Sequence, residues 1–414
     1  MKIAIIGSGI AGLTCAYLLN RRHDITVFEA SDWIGGHTHT VDVEVNGEHH
    51  AIDTGFIVFN DWTYPNFIRL LDQLGVASQP TEMSFSVQDP ETGTEYNGHS
   101  LNSLFAQRSN LLSPGFWGML RDILRFNRET LRDLDRQRIA ADTTLSAYLR
   151  DNGYGPRFIR HYIVPMGSAI WSMSEGEMLN FPLQFFVRFC KNHGLLSVNQ
   201  RPQWRVISGG SRAYVAPLTA SFIERIRICC PVQRVERDAS GVTLHSAAGS
   251  ERFDSVVFAC HSDQALALLA EPSQAEQDIL GALRYAENDV VLHTDTRLLP
   301  KRPRAWASWN YRLGGNRQGA AVTYNMNILQ GIDSDTTFCV SLNQTEAIAP
   351  ARMLGQFRYA HPQYSLAGIA AQQRWSELQG AQHSYYCGAY WANGFHEDGV
   401  VSALRVAAAF GEQL

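Results

Sequence analysis

The sequence predicts an α/β protein in which a Rossmann-like domain is interleaved with a second, α+β domain. Three observations carry that expectation. The chain opens strand, glycine turn, helix, strand between Met1 and Glu29. A long stretch of helical periodicity follows from Pro114 to Trp171, and strand signals with glycines return near Gly209-Gly210 and again near Gly388.

In the first unit, Lys2 to Ile6 is a short apolar run ending at Gly7-Ser8-Gly9-Ile10-Ala11-Gly12. Leu13, Ala16 and Tyr17 then recur at helical spacing before Ile25 to Phe28 closes at Glu29-Ala30. Gly7 permits the tight turn, and Gly9 lets backbone N–H groups around Ile10 and Ala11 approach a pyrophosphate at the positive helix end. Gly12 lets the helix pack close on the strand. Glu29, seventeen residues past Gly12, stands where an acid accepts hydrogen bonds from a ribose diol. A glycine triplet alone also suits an ordinary turn. The strand before it, the helix after it and the acid at the end of the second strand select a bound dinucleotide.

Six residues after Glu29 comes Gly35-Gly36, then His37-Thr38-His39-Thr40, a strand, and Asp53-Thr54-Gly55. A plain NAD domain needs no second glycine pair here. A flavin dinucleotide does, because it runs on past the first helix and more backbone must approach it closely. In these motifs the chain resembles the flavin amine oxidase superfamily, which also holds protoporphyrinogen oxidases and phytoene-desaturase-like enzymes. Within it, the likeness is to bacterial amine-oxidase-like proteins described as predicted NAD/FAD-binding. The resemblance runs over nearly the whole chain. It implies FAD as cofactor and an amine-oxidase-like two-domain fold: an FAD-binding domain from residues 1–62, 204–284 and 380–414, and a substrate domain from 63–203 and 285–379.

Composition bounds the rest. The chain of 414 residues, 45% of them hydrophobic, suits two moderate cores, and a formal charge of −5 argues against a nucleic-acid partner. Seven scattered cysteines without a C-x-x-C suggest a reducing compartment. The apolar start carries the glycine fingerprint, so the protein reads as unexported and cytoplasmic, and no run of eighteen apolar residues appears. His37-Thr38-His39 and His49-His50 flank a cofactor loop and a turn, and no metal is expected there.

Taken in order, Thr63 to Leu74 places Phe67, Leu70, Leu71 and Leu74 on one helical face stopped by Gly75. Ser84 to Tyr96 reads as a hairpin, and helices are expected over Pro114–Arg138, Thr144–Asn152 and Phe158–Trp171. Gly209-Gly210 precedes a helical run from Tyr214 to Ile223, with strands at 232–235, 242–244 and 256–259. The resemblance implies that Val232 holds the adenine end through its backbone. Val290 to Thr294 reads as a strand. The segment from Tyr386 through Gly388, Asp398 and Gly399 to Phe410 reads strand, loop, helix, and resembles the family's last FAD motif, whose helix N-terminus faces the flavin. Thr38, Thr54 and Gly55 complete the expected cofactor contacts.

An FAD enzyme needs no catalytic triad, because the cofactor carries the electron chemistry. No second G-x-G-x-x-G follows a strand, since Gly314 to Gly319 has the wrong spacing. That favours oxidase or desaturase chemistry over a two-nucleotide reductase. Amine oxidases of the family carry a lysine near the flavin where this chain has Asp289. Phe395 matches one wall of their aromatic cage, with Tyr390 and Trp391 nearby, and His37 replaces an arginine. His293 and His396 are candidates for proton transfer, with a structural role as the alternative. The expected function is an FAD-dependent oxidoreductase, an oxidase or desaturase, taking hydride from a largely apolar small molecule such as a fatty acyl lipid or isoprenoid. Its rivals are a flavin amine oxidase, a non-redox lipid double-bond isomerase, and a non-catalytic flavoprotein or lipid carrier.

One surface feature stands apart. Arg121, Arg125, Arg128, Arg132 and Arg136 step along one helical face, with Leu120, Ile123, Leu124, Leu131 and Leu134 on another. The plain reading is a solvated helix whose arginines pair with Asp122, Glu129, Asp133 and Asp135. The sharper one is peripheral contact with an anionic membrane at its inner face.

Overall fold

Five short strands form a parallel sheet in the order Ile226–Arg227, Asp24–Phe28, Lys2–Ile6, Ser255–Phe258 and Ser384–Tyr386. The computed structural model describes residues 1–314 and 319–414, so four residues of the glycine-rich run Gly314 to Gly319 lie outside the described residues. The central strands Lys2–Ile6 and Ser255–Phe258 are almost wholly apolar because both faces of the sheet are covered. Helix Ile10–Leu19 lies on one face and is itself covered by the last helix, His396–Ala409, which explains why it is apolar nearly all round. The other face packs on an antiparallel meander, Val232–Asp238, Gly241–Ser246 and Gly249–Phe253, and on helices Ser262–Leu268 and Gln274–Ala282.

Seven strands build a second sheet in the order Met353–Gln363, Arg284–His293, Cys339–Leu342, Val322–Asn325, Trp309–Arg312, Phe85–Asp89 and Thr94–Asn97. All neighbours are antiparallel except Trp309–Arg312, which runs parallel to Phe85–Asp89. Helices Pro114–Asp135, Val164–Trp171 and Leu183–Asn192 share its core, where Phe116, Phe126, Phe158 and Phe186 are fully buried. Helix Pro65–Leu74 leaves the first sheet's core through buried Phe67, Leu70 and Leu71 and ends on left-handed Gly75.

Four elements differ from the sequence expectation or go beyond it. The run after Gly209-Gly210 is two short turns, Ser211–Tyr214 and Val215–Thr219, because Pro217 offers no N–H to a continuous ladder. Met353–Gln363 is a long strand that the sequence reading did not single out, since Gly355 and Pro362 interrupt the local strand signal; pairing along Arg284–His293 supplies the order. That partner strand is correspondingly longer than Val290 to Thr294. The last helix starts at His396, four residues before the apolar run Val400 to Phe410 on which the sequence places it, because Asp398 Oδ2 accepts the Phe395 N–H at 2.9 Å and caps it. Among the described residues no helix is long and apolar enough to cross a membrane.

Candidate functional site

The strands Lys2–Ile6, Ser255–Phe258 and Ser384–Tyr386 end side by side at Gly7, Ala259 and Cys387-Gly388, the edge where open α/β sheets receive ligands. Two helix N-termini converge there. Gly399, in the first turn of the last helix, lies so close to Ile10 that a Cβ would come within 2.8 Å of its Cγ2. Both helices turn their positive ends on one spot, which suits an anion.

The glycines divide by what surrounds them. A Cβ on Gly12 would lie 2.0 Å from the Gly7 carbonyl oxygen, so close packing of helix on strand needs this glycine. Gly9 has an ordinary φ of −68°, and a Cβ there would meet no described atom within 4 Å. The fold itself does not require glycine at 9, whereas a ligand pressed against the backbone does. Gly35 and Gly36 lie opposite, Gly35 bridging to Gly9. Glu29 is buried beside them. Its Oε2 accepts from Ser8 N at 2.9 Å and Ser8 Oγ at 2.6 Å, and its Oε1 from Ser31 N at 2.8 Å. Each oxygen keeps lone-pair capacity for a diol. Ala30 is exposed next to it, and Val232 follows Cys230, whose N–H donates to the Glu29 carbonyl.

The loop after the glycine pair is clamped from below. Thr54 N donates to His39 O and Phe56 N to His37 O, while a Cβ on Gly55 would strike His37 O at 2.2 Å. Thr38 Oγ1 bonds the Tyr214 hydroxyl and lies 3.0 Å from His396 Nε2. Thr54 Oγ1 lies 2.9 Å from the Tyr359 hydroxyl. The His37 ring is thereby held 5.2 Å from Tyr359, 5.5 Å from His361 and 6.1 Å from His261. Burial pulls His37 and His261 down to about 4 and His361 to about 3, with the neighbouring imidazoles adding to it, so all three are neutral at pH 7. Tyr285 stacks on His261 at 4.1 Å and approaches Tyr390 at 6.4 Å. His37 Nε2, Tyr390 Oη and Trp391 Nε1 are buried without a hydrogen-bond partner among the described residues. Of these, His37 Nε2 belongs to the loop that follows Gly35-Gly36, where a buried nitrogen without a partner fits a bound group.

The expected reacting-face residues separate. Asp289 and His293 point away from the cradle, because side chains alternate along a strand and it is Ala286, Asn288 and Val290 that pair with His361, Tyr359 and Phe357. Asp289 faces Arg358 at 3.4 Å near solvent. His293 is locked by Ser341 Oγ at 2.8 Å and accepts the Asp295 N–H, and burial pulls it down to about 4. Asn288 takes the inward position, with Nδ2 3.2 Å from His361 Nδ1 and Oδ1 accepting from Asn343 Nδ2 at 2.8 Å. His396 is stacked on Phe56 at 3.5 Å, inside the clamp of Thr38 and Tyr214, where it fastens the last helix to the loop.

Phe395 stacks on Phe189 at 5.2 Å and lines a cleft of about 420 Å³ with Trp62, Tyr64, His193 and Asn393. Asp398 lies at its floor, its carboxyl pushed up to about 6 by burial. Among the described residues no group of three or more His, Cys, Asp or Glu side chains could hold a metal ion. The sequence reading did not single out His261, Asn288, Tyr359 or His361. His261 carried a usable signal, standing just past a strand of the parallel sheet. The others lie on strands whose inward face depends on pairing.

A sequence model of flavin containing amine oxidoreductases matches residues 10–325. A Mycobacterium tuberculosis protein provisionally named a flavin-containing monoamine oxidase is 24% identical over 285 residues, spanning 66% of this chain and 59% of that relative's length. Among solved structures, cyclohexylamine oxidase from Brevibacterium oxydans superposes with a TM-score of 0.71 at 17% identity, over 99% of this chain and 98% of its own. A fatty acid isomerase from P. acnes that produces CLA gives 0.69 at 15%, over 99% and 98%. These likenesses show a shared fold. FAD is the cofactor that the glycine cradle, the convergent helix ends and Glu29 fit. The chain belongs to the flavin-containing amine oxidoreductase family.

Proposed function

We propose that this protein is an FAD-dependent oxidoreductase, an oxidase or desaturase, that takes hydride from a largely apolar substrate such as an acyl lipid or isoprenoid. The observation that carries this reading is the chemistry of the wall facing the glycine cradle. It is made of Phe357, Tyr359, Asn288 and the neutral imidazoles of His37, His261 and His361. Lys2 and Lys191 pair with Glu251 and Asp135 at the surface, and Lys301 is exposed, so the wall holds no lysine. The buried carboxylates Glu29, Asp53, Glu397 and Asp398 all accept backbone N–H groups, so part of the hydrogen-bonding capacity of each is engaged within the fold.

Bound FAD supplies the two-electron acceptor. The chain's residues do the rest. Glu29 would receive the ribose diol, the two helix ends would meet the pyrophosphate, and the backbone of Gly35 to Thr38 would hold the cofactor beyond them. The aromatic and imidazole wall excludes water, and Phe395 with His193 shapes the cleft by which substrate arrives.

The test is anaerobic mixing of the flavin-loaded protein with amines, fatty acyl lipids and isoprenoids while following the visible flavin absorbance. Bleaching by apolar donors with oxidised product is expected. Fast bleaching by primary amines alone would overturn the reading, and lipid converted without net oxidation would replace it with isomerase chemistry.

A further inference from the structure

We propose that the face carrying Leu112, Trp117 and Leu124, ringed by Arg108, Arg121 and Arg128, docks this protein on an anionic lipid bilayer. The large exposed apolar side chains are concentrated here: Leu101, Leu111, Leu112, Trp117 and Leu124 all lie within a short stretch, with Leu101 77% and Leu112 89% exposed. A folded chain has a strong reason to keep leucines from water and rarely gathers them on one exposed face without a partner. The side chains are rigidly presented. Trp117 Nε1 donates to the Leu111 carbonyl at 2.9 Å, and its ring packs 5.5 Å from Phe105, at the end of helix Leu101–Leu104.

On helix Pro114–Asp135, Trp117, Arg121, Leu124 and Arg128 recur at steps of four, three and four, so apolar and cationic side chains alternate along one solvent-facing stripe. This departs from the sequence expectation in two respects. Leu124 faces solvent at 57% exposure. Arg125 folds inward instead, pairing with Asp122, donating to the carbonyls of residues 152 and 153, and lying 3.9 Å from the Tyr154 ring. The docking face is thus the first half of the helix and the loop before it, not a continuous row of five arginines.

Charge selects the occupant. From His99 to Arg128 the single acid is Asp122, and it is buried, while Arg121 is 81% exposed and Arg128 makes no ion pair among the described residues. Exposed Lys301 and Arg304 extend the basic rim, since the turn Pro303–Ala305 packs on helix Leu101–Leu104. A chain of net charge −5 therefore carries a local basic, tryptophan-bearing, leucine-rich face. Apolar tips that enter the acyl boundary beneath cations that meet phosphate are the requirements of an anionic bilayer surface. A protein partner would be expected to offer hydrogen-bonding complementarity at a polar rim, and the exposed charges of Arg108, Arg121 and Arg128 are all positive.

The test is flotation of the flavin-loaded protein with phosphatidylcholine vesicles, with or without about 30% phosphatidylglycerol, at about 20 mM and about 500 mM salt. Binding to the anionic vesicles at low salt, lost at high salt, is expected. Arg121→Gln with Arg128→Gln should weaken it about 25-fold, roughly five-fold for each arginine. Leu112→Ser should weaken it at low salt. Brominated lipid should quench fluorescence in the wild type and do so less in Trp117→Phe. Leu112, Arg121 and Arg128 are exposed, so unchanged circular dichroism and melting are expected of their variants, whereas Trp117→Phe also gives up the hydrogen bond to Leu111. Equal binding to neutral vesicles, or binding indifferent to these substitutions, overturns the proposal. So does absence from vesicles together with concentration-dependent dimers in sedimentation, which would give the face to a second copy of the chain.

Discussion

Asn288 Nδ2 lies 3.2 Å from His361 Nδ1 across the long strand pair, while the next residue, Asp289, turns outward to Arg358. One strand position therefore separates a residue of the wall from a residue of the surface. Asp289→Asn removes an exposed ion pair and should cost about 0–1 kcal/mol, with the flavin spectrum unchanged. Asn288→Ala leaves His361 and Asn343 short of partners and should cost about 1–3 kcal/mol in urea unfolding, with a shifted flavin spectrum. The reverse ranking would return Asp289 to the site.

Gly9 and Gly12 should behave oppositely. Gly12→Ala drives a Cβ into the Gly7 carbonyl and should destabilise the apoprotein by about 1–3 kcal/mol or more. Gly9→Ala meets nothing in the protein and should leave apoprotein melting unchanged while weakening FAD retention. Fluorescence titration of apoprotein with FAD, beside thermal melts, separates the two effects. Undiminished FAD affinity in Gly9→Ala would show that no ligand approaches there.

Glu29→Ala should weaken FAD binding by about 1–3 kcal/mol, as a lost charge-assisted hydrogen bond. Glu29 also holds Ser8 and Ser31, so some loss of apoprotein stability is expected as well. Glu29→Gln keeps an acceptor and should fall between wild type and alanine. Equal FAD affinity in all three would remove Glu29 from the cofactor's contacts.

Stability should fall as the solution is acidified below about pH 6.5. Unfolded imidazoles titrate near that value, whereas burial holds His37, His193, His261 and His293 at about 4 and His361 at about 3. Below about 6.5 the unfolded chain takes up protons first, so the contribution of these groups is complete above that pH and is lost down to about 4. Asp53 and Asp398 act in the opposite sense. Burial raises both to about 6, so they weaken the fold above that pH and relieve it below, offsetting part of the loss. Urea midpoints between about pH 7 and about pH 5 should decline, and less steeply in His37→Gln with His361→Gln. A flat or rising midpoint would contradict the neutral-histidine wall.

The sequence by itself determined the fold class, the cradle and the family likeness. These rest on short-range geometry: Gly7 to Gly12 between strand and helix, Glu29 at the next strand's end, and Gly35-Gly36 soon after, all within one local unit whose backbone leaves few alternatives. The tertiary structure alone decided what faces the cradle. Side chains alternate with a period of two along a strand, so Asn288 or Asp289 could face inward until Met353–Gln363 paired along Arg284–His293 and fixed the choice. The same pairing brought His361 and Tyr359 to His37 across more than three hundred residues of chain. It also placed His293 on the opposite face, where a hydrogen bond to Ser341 holds it. Helical periodicity located the arginines near Arg125 but could not tell which were solvated, because Asp122 and Tyr154 pull Arg125 inward and leave Leu124 to the solvent. Such outcomes depend on contacts between residues far apart in sequence, and no local propensity encodes them.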